Sequence, residues 1–119
     1  MTNATERRES FTIENDLLVR SIVPKRGRPY EHTCTKDVYD DVAYAIEQMG
    51  ASTFTGEAIR ERIDAPFSQV AVALAFLKER GSVVPARQRR HRAATDFLYE
   101  DALIEWHALC EKTVPGEET

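Results

Sequence analysis

From Thr35 onward, apolar positions recur every three or four residues: Val38, Val42, Ile46 and Met49, with Tyr39 and Ala45 beside them. That spacing predicts an amphipathic helix. Thr35 suits its N-cap with Asp37 in the first turn, and Gly50 suits the left-handed position that ends it. Ala51 to Phe54 reads as a short β-prone connector. Thr55 then caps a brief second helix with Ala58, Ile59 and Ile63 inward, and Asp64-Ala65-Pro66 stops it. A third helix is predicted from Pro66 or Phe67, with Val70, Ala73, Leu74 and Leu77 on one face and Gly81 closing it. Ser82 to Pro85 reads as a strand, Ala86 to Arg92 as a basic turn, and Ala93 to Tyr99 as a returning strand with Phe97 and Tyr99 inward. The last regular element is a helix from Glu100 to Cys110, striped by Leu103, Trp106, His107 and Cys110.

Before Thr35 no period is sustained. Phe11, Ile13, Leu17, Leu18, Ile22 and Val23 offer one short strand or helix, and Pro24, Gly27 and Pro29 break any regular element soon afterwards. Residues 1–34 are therefore expected to form an extended basic arm, partly flexible. Residues 35–99 form the main domain, 100–111 a C-terminal helix that packs on it or dimerises, and 112–119 a disordered acidic tail. The fold class expected is mainly α with a small β-hairpin.

Composition narrows the class. Among 119 residues, 42% are apolar and 30% charged, which fits one globular domain and excludes low-complexity and collagen-like chains. No apolar run reaches the roughly eighteen residues of a membrane span, and Met1 to Ser10 is too polar for a signal sequence, so an intracellular, cytoplasmic chain is expected. Two cysteines, Cys34 and Cys110, imply no disulfide framework.

The formal charge of -4 hides an uneven distribution. Arg20, Lys25, Arg26 and Arg28 lie together without an intervening acid. Lys78, Arg80, Arg87, Arg89, Arg90 and Arg92 form a second group broken only by Glu79. These two stretches hold ten of the 16 basic residues and one of the 20 acidic ones. A polyanion feels such local fields within a Debye length of about 8–10 Å, so a nucleic acid becomes a plausible partner.

The order of helix, short helix, tight turn, longer helix and basic hairpin resembles the winged helix-turn-helix family. Residues 54–63 look like its positioning helix, and 68–84 look like its recognition helix, the glycine after it and the first wing strand. The resemblance implies a three-helix core plus wing, with the third helix in the major groove of double-stranded DNA and the wing on backbone or minor groove. It places Ser68 and Gln69 where they would face bases. The helix face opposite Val70, Leu74 and Leu77 bears Ser68, Val72, Ala75 and Glu79, with Ala71 and Phe76 near its flanks, and has no arginine. Two alternatives for it are contact with thymine methyls, or cover by another protein surface. Pro24-Lys25-Arg26-Gly27-Arg28-Pro29 resembles the AT-hook, which implies minor-groove contact by Arg26, Gly27 and Arg28.

For the wing, Arg87, Arg89, Arg90 and Arg92 suit phosphate contact or insertion into a narrow minor groove, against the alternative of a solvated loop. The function expected is DNA binding, as a transcriptional regulator or nucleoid-associated factor. The alternative is a protein-interaction module using Val72, Ala75 and Phe76. A homodimer through Leu103, Trp106 and Cys110 competes with simple packing of Trp106 on the first helix. His32-Thr33-Cys34 and His107 with Cys110 lack strong zinc spacing. The acid pairs Asp40-Asp41 and Glu100-Asp101 diverge along helices, so no catalysis, metal or cofactor is expected.

Overall fold

The computed structural model describes residues 7–113. Nine elements follow one another: β1 (Arg8–Glu14), β2 (Leu17–Val23), β3 (Tyr30–Thr35), α1 (Lys36–Met49), α2 (Gly56–Arg62), α3 (Phe67–Glu79), β4 (Val83–Pro85), β5 (His91–Ala93) and α4 (Leu98–Thr113). The architecture is α+β, with a three-stranded antiparallel sheet in the order β1-β2-β3 and a separate β4-β5 hairpin.

The helical boundaries have local causes. The Thr35 hydroxyl accepts the Val38 N–H at 3.2 Å, and the Thr55 hydroxyl accepts the Ala58 N–H at 3.1 Å. Each satisfies an amide that the first turn leaves unpaired. Gly50, at φ 62, and Gly81, at φ 83, close α1 and α3 in the left-handed region that glycine enters without a steric cost. Helix α1 buries Tyr39, Val42, Ala43, Ala45 and Ile46.

Residues 8–35 depart from the expected arm. Asn15 and Asp16, both at positive φ (53 and 64), form a two-residue turn, and β1 and β2 pair from Glu14↔Leu17 to Arg8↔Val23. Such a turn matches the natural twist of a hairpin. Strand β3 adds to β2 with Leu18 opposite Cys34, and both side chains are fully buried in the core. The segment folds because Leu18, Cys34, Phe11 and Ile13 give the sheet one apolar face that packs against the helices. Pro24 to Pro29 is then the loop of the β2–β3 hairpin and not an extended strand.

This sheet changes the environment of α3. Val70, Val72, Ala73, Leu74, Phe76 and Leu77 are all buried, on more than one side of the helix. Phe76 meets the Phe11 ring edge-on at 5.3 Å on the sheet side and lies 6.1 Å from Tyr39 of α1. A helix that is apolar nearly all round belongs between two layers, and α3 lies between the sheet and the other helices.

The C-terminal half differs from expectation in two places. The returning strand is only His91–Ala93, and Phe97 is 64% exposed, because Thr95 turns the chain: its hydroxyl accepts the Phe97 N–H at 3.1 Å and donates to Asp101 at 2.9 Å. Helix α4 starts at Leu98 and buries Leu98, Ala102, Trp106 and Leu109, while His107 is exposed. Trp106 is 4% exposed and packs 4.9 Å from the Tyr39 ring, so it fills the core and offers no surface for a second copy. The Tyr39 hydroxyl donates to the Ala102 carbonyl at 2.6 Å, and burial pushes this phenol's pKa up. Arg80 ties α3 to α4 through Glu105 at 2.8 Å. The expected tail, apart from its first residues, lies outside the described residues. Among those residues no helix is long and apolar enough to cross a membrane.

Candidate nucleic-acid interface

The β4–β5 hairpin is anchored on both sides. Val83 pairs with Ala93, and His91 exchanges two backbone hydrogen bonds with Phe54, at 2.8 and 2.9 Å, across the α1–α2 connector. The turn between the strands is tight: Ala86 N–H reaches the Arg90 carbonyl at 2.8 Å, with Gln88 and Arg89 both at positive φ. Two consecutive residues of this kind form the hairpin turn that matches strand twist.

The four arginines of the β4–β5 hairpin, Arg87, Arg89, Arg90 and Arg92, do not share one role. Arg90 is held by Thr53, its Nε donating to the hydroxyl at 2.6 Å and its Nη2 to the carbonyl at 2.9 Å. It therefore clamps the turn to the connector. Arg92 donates to the Ala93 carbonyl at 3.3 Å. Arg87 and Arg89 are exposed and make no ion pair among the described residues. His91, at the base of the hairpin, has its pKa lowered, first by burial and then by the Lys78 charge.

The second basic group is on the β2–β3 loop, where Lys25, Arg26, Gly27 and Arg28 are all exposed. Gly27 sits at φ 95 with nothing within 4 Å of where a Cβ would be, so the backbone and not crowding calls for glycine. Arg20, nearer the core on β2, is paired with Glu9 across the hairpin.

The third helix is the place where sequence and structure diverge. Val72 is 0% exposed, so it is not available to a base. Gln69 is half-buried, and its Oε1 accepts the Thr35 N–H at 3.0 Å, which fixes the β3–α1 junction. Ser68 remains exposed at the helix start. The accessible line on α3 is Phe67, Ala71, Ala75 and Lys78. With Leu74, Glu79, Gly56, Glu9 and Arg20 it borders a cleft of about 500 Å3. The face is rotated from the expected one because the sheet packs on α3, with Phe11 against Phe76, and Val72 is buried. Of the apolar trio Val72, Ala75 and Phe76, only Ala75 reaches the surface.

Among the described residues no three His, Cys, Asp or Glu side chains cluster as a metal site. Cys34 is fully buried and its thiol is pushed up to about 12, first by burial and then by Asp40. His32 and His107 are exposed.

No family model matches the chain, and no curated protein or solved structure is significantly similar to it.

Proposed function

We propose that the chain is a winged-helix DNA-binding protein, a transcriptional regulator or nucleoid-associated factor. Its contacts with the duplex come mainly from the wing turn and the β2–β3 loop. The order α1, Phe54 bridge, α2, α3, β4, β5 is that of the winged helix-turn-helix. The observation that carries the functional reading is the wing turn. It is held rigidly by Arg90 and the Phe54–His91 pair, and it projects Arg87 and Arg89 without an acidic partner among the described residues. Fixed cations on a protruding turn suit phosphates or a narrow minor groove.

Helix α3 contributes less than in a typical major-groove reader. Ser68 is its polar side chain open to base edges, since Gln69 already holds the Thr35 amide. Affinity on this account is dominated by backbone contacts, which position a protein without reading sequence. The interaction-module alternative loses the surface on which it depended, because Val72 and Phe76 are buried within the chain itself.

Anisotropy titration of labelled mixed-sequence and A·T-rich duplexes at low salt tests the proposal. The native chain is expected to bind both, and Arg87→Glu with Arg89→Glu is expected to abolish binding while leaving the fold intact. Absence of binding to either duplex overturns it.

A further inference from the structure

We propose that the cleft between the outer half of the N-terminal sheet and α3 binds unpaired bases of single-stranded DNA. Alternation along β2 puts Leu18, Arg20 and Ile22 on one face, and the register sets Cys34, His32 and Tyr30 beside them. Leu18 and Cys34 enter the core. Beyond them Arg20 lines the cleft with Phe67, while its cross-strand neighbour His32 lies 5.3 Å, ring to ring, from Tyr30.

Two large aromatic side chains are open on this side of the molecule: Phe67, which lines the cleft, is 49% exposed with the Arg60 guanidinium 5.4 Å from its ring, and Tyr30, beyond the cleft's edge on the sheet face that carries Arg20, is 45% exposed. Neither ring is needed to close the core. The charges that rim the cleft are balanced, Arg20 against Glu9 and Lys78 beside Glu79, and its floor is Ala71, Leu74 and Ala75. That surface suits an uncharged planar ring better than a phosphate. The cations for the phosphates lie next door, because Lys25, Arg26 and Arg28 are on the loop joining the outer ends of β2 and β3. Aromatic rings bordering a cationic track take bases of any sequence, provided the bases are free of a partner strand.

The proposal rests on the nucleic-acid reading and shares with it the cations of the β2–β3 loop, but the rings that would stack on bases, Tyr30 and Phe67, are distinct from the wing turn. Its test is anisotropy with three probes on the full chain: a thymidine oligonucleotide of about twelve residues, an abasic strand of the same length, and a duplex. The thymidine strand is expected to bind at least about ten-fold more tightly than the abasic strand, which offers the same phosphates without bases. Tyr30→Ala and Phe67→Ala should each weaken thymidine binding by about five-fold or more, the loss expected when one base no longer stacks. Duplex affinity and the thermal midpoint should not change, and Tyr30→Phe should restore binding. Equal affinity for thymidine and abasic strands overturns this proposal even if the duplex binds. Loss of duplex binding alone overturns the wing reading and leaves the cleft intact.

Discussion

Phe76 distinguishes a third helix sealed on both sides from one that presents an apolar face to a partner. Its side chain is 0% exposed, lies 5.3 Å from the Phe11 ring and 6.1 Å from the Tyr39 ring, and carries the Arg80 guanidinium 5.6 Å above it. Phe76→Ala removes a ring that touches both layers, and the surrounding rings cannot collapse fully into the space. Such a truncation costs about 3–5 kcal/mol, a large part of the roughly 5–15 kcal/mol that stabilises a domain. An exposed phenylalanine would cost within about 0.5 kcal/mol. Urea unfolding monitored through Trp106, which is packed beside Tyr39, measures the difference. The midpoint should fall sharply with the slope unchanged. A loss below about 1 kcal/mol would refute the claim that the sheet closes this face.

Single interactions give further expected outcomes. Arg90→Ala should lower stability by about 1–3 kcal/mol by freeing Thr53 and loosening the turn, although Arg90 lies in the same basic run as Arg87 and Arg89; a melt compared with Arg89→Ala, expected to be neutral, checks this. Thr55→Ala should cost about 1 kcal/mol through removal of the cap on α2, readable as a shift in urea midpoint. Cys34 should resist a thiol reagent at neutral pH until the chain unfolds, since burial raises its thiol to about 12. The same shift has a sign for stability. Cys34 and Tyr39 both titrate higher in the folded chain than their ordinary values of 9.0 and 10.0. Their contribution is therefore fully present below about pH 9 and declines as pH rises beyond it. Urea midpoints measured upward from pH 8 should fall, and a flat or rising profile would contradict it.

The helical half was legible because its signals are local. Thr35, Thr55, Gly50 and Gly81 do in the structure what their side chains, or lack of one, imply. The N-terminal sheet was harder to see. Arg20 and Ser21 interrupt the apolar pattern of β2, and Arg20 is tolerated on the inner face only because Glu9 pairs with it. The clue available was Asn15-Asp16, two residues that accept positive φ, between Ile13 and Leu18. The same sheet decides how α3 is read, since a helix face that bears Val72 looks free in sequence until its cover is known. The arginines of the β4–β5 hairpin read alike in sequence, and only the position of Thr53 separates Arg90 from its neighbours. Phe97 and Tyr99 alternate as a strand would, yet the turn made by Thr95 leaves Phe97 in solvent.

The central claim is that the free arginines of the wing turn hold DNA phosphates. Its most direct test is the salt dependence of duplex affinity for the native chain and for Arg87→Ala with Arg89→Ala, between about 50 and 200 mM salt. The account predicts a linear fall of log K with log salt, shallower in the variant by about 0.9 for each phosphate that is no longer neutralised, or about 1.8 in all. A variant slope equal to the native one would contradict it.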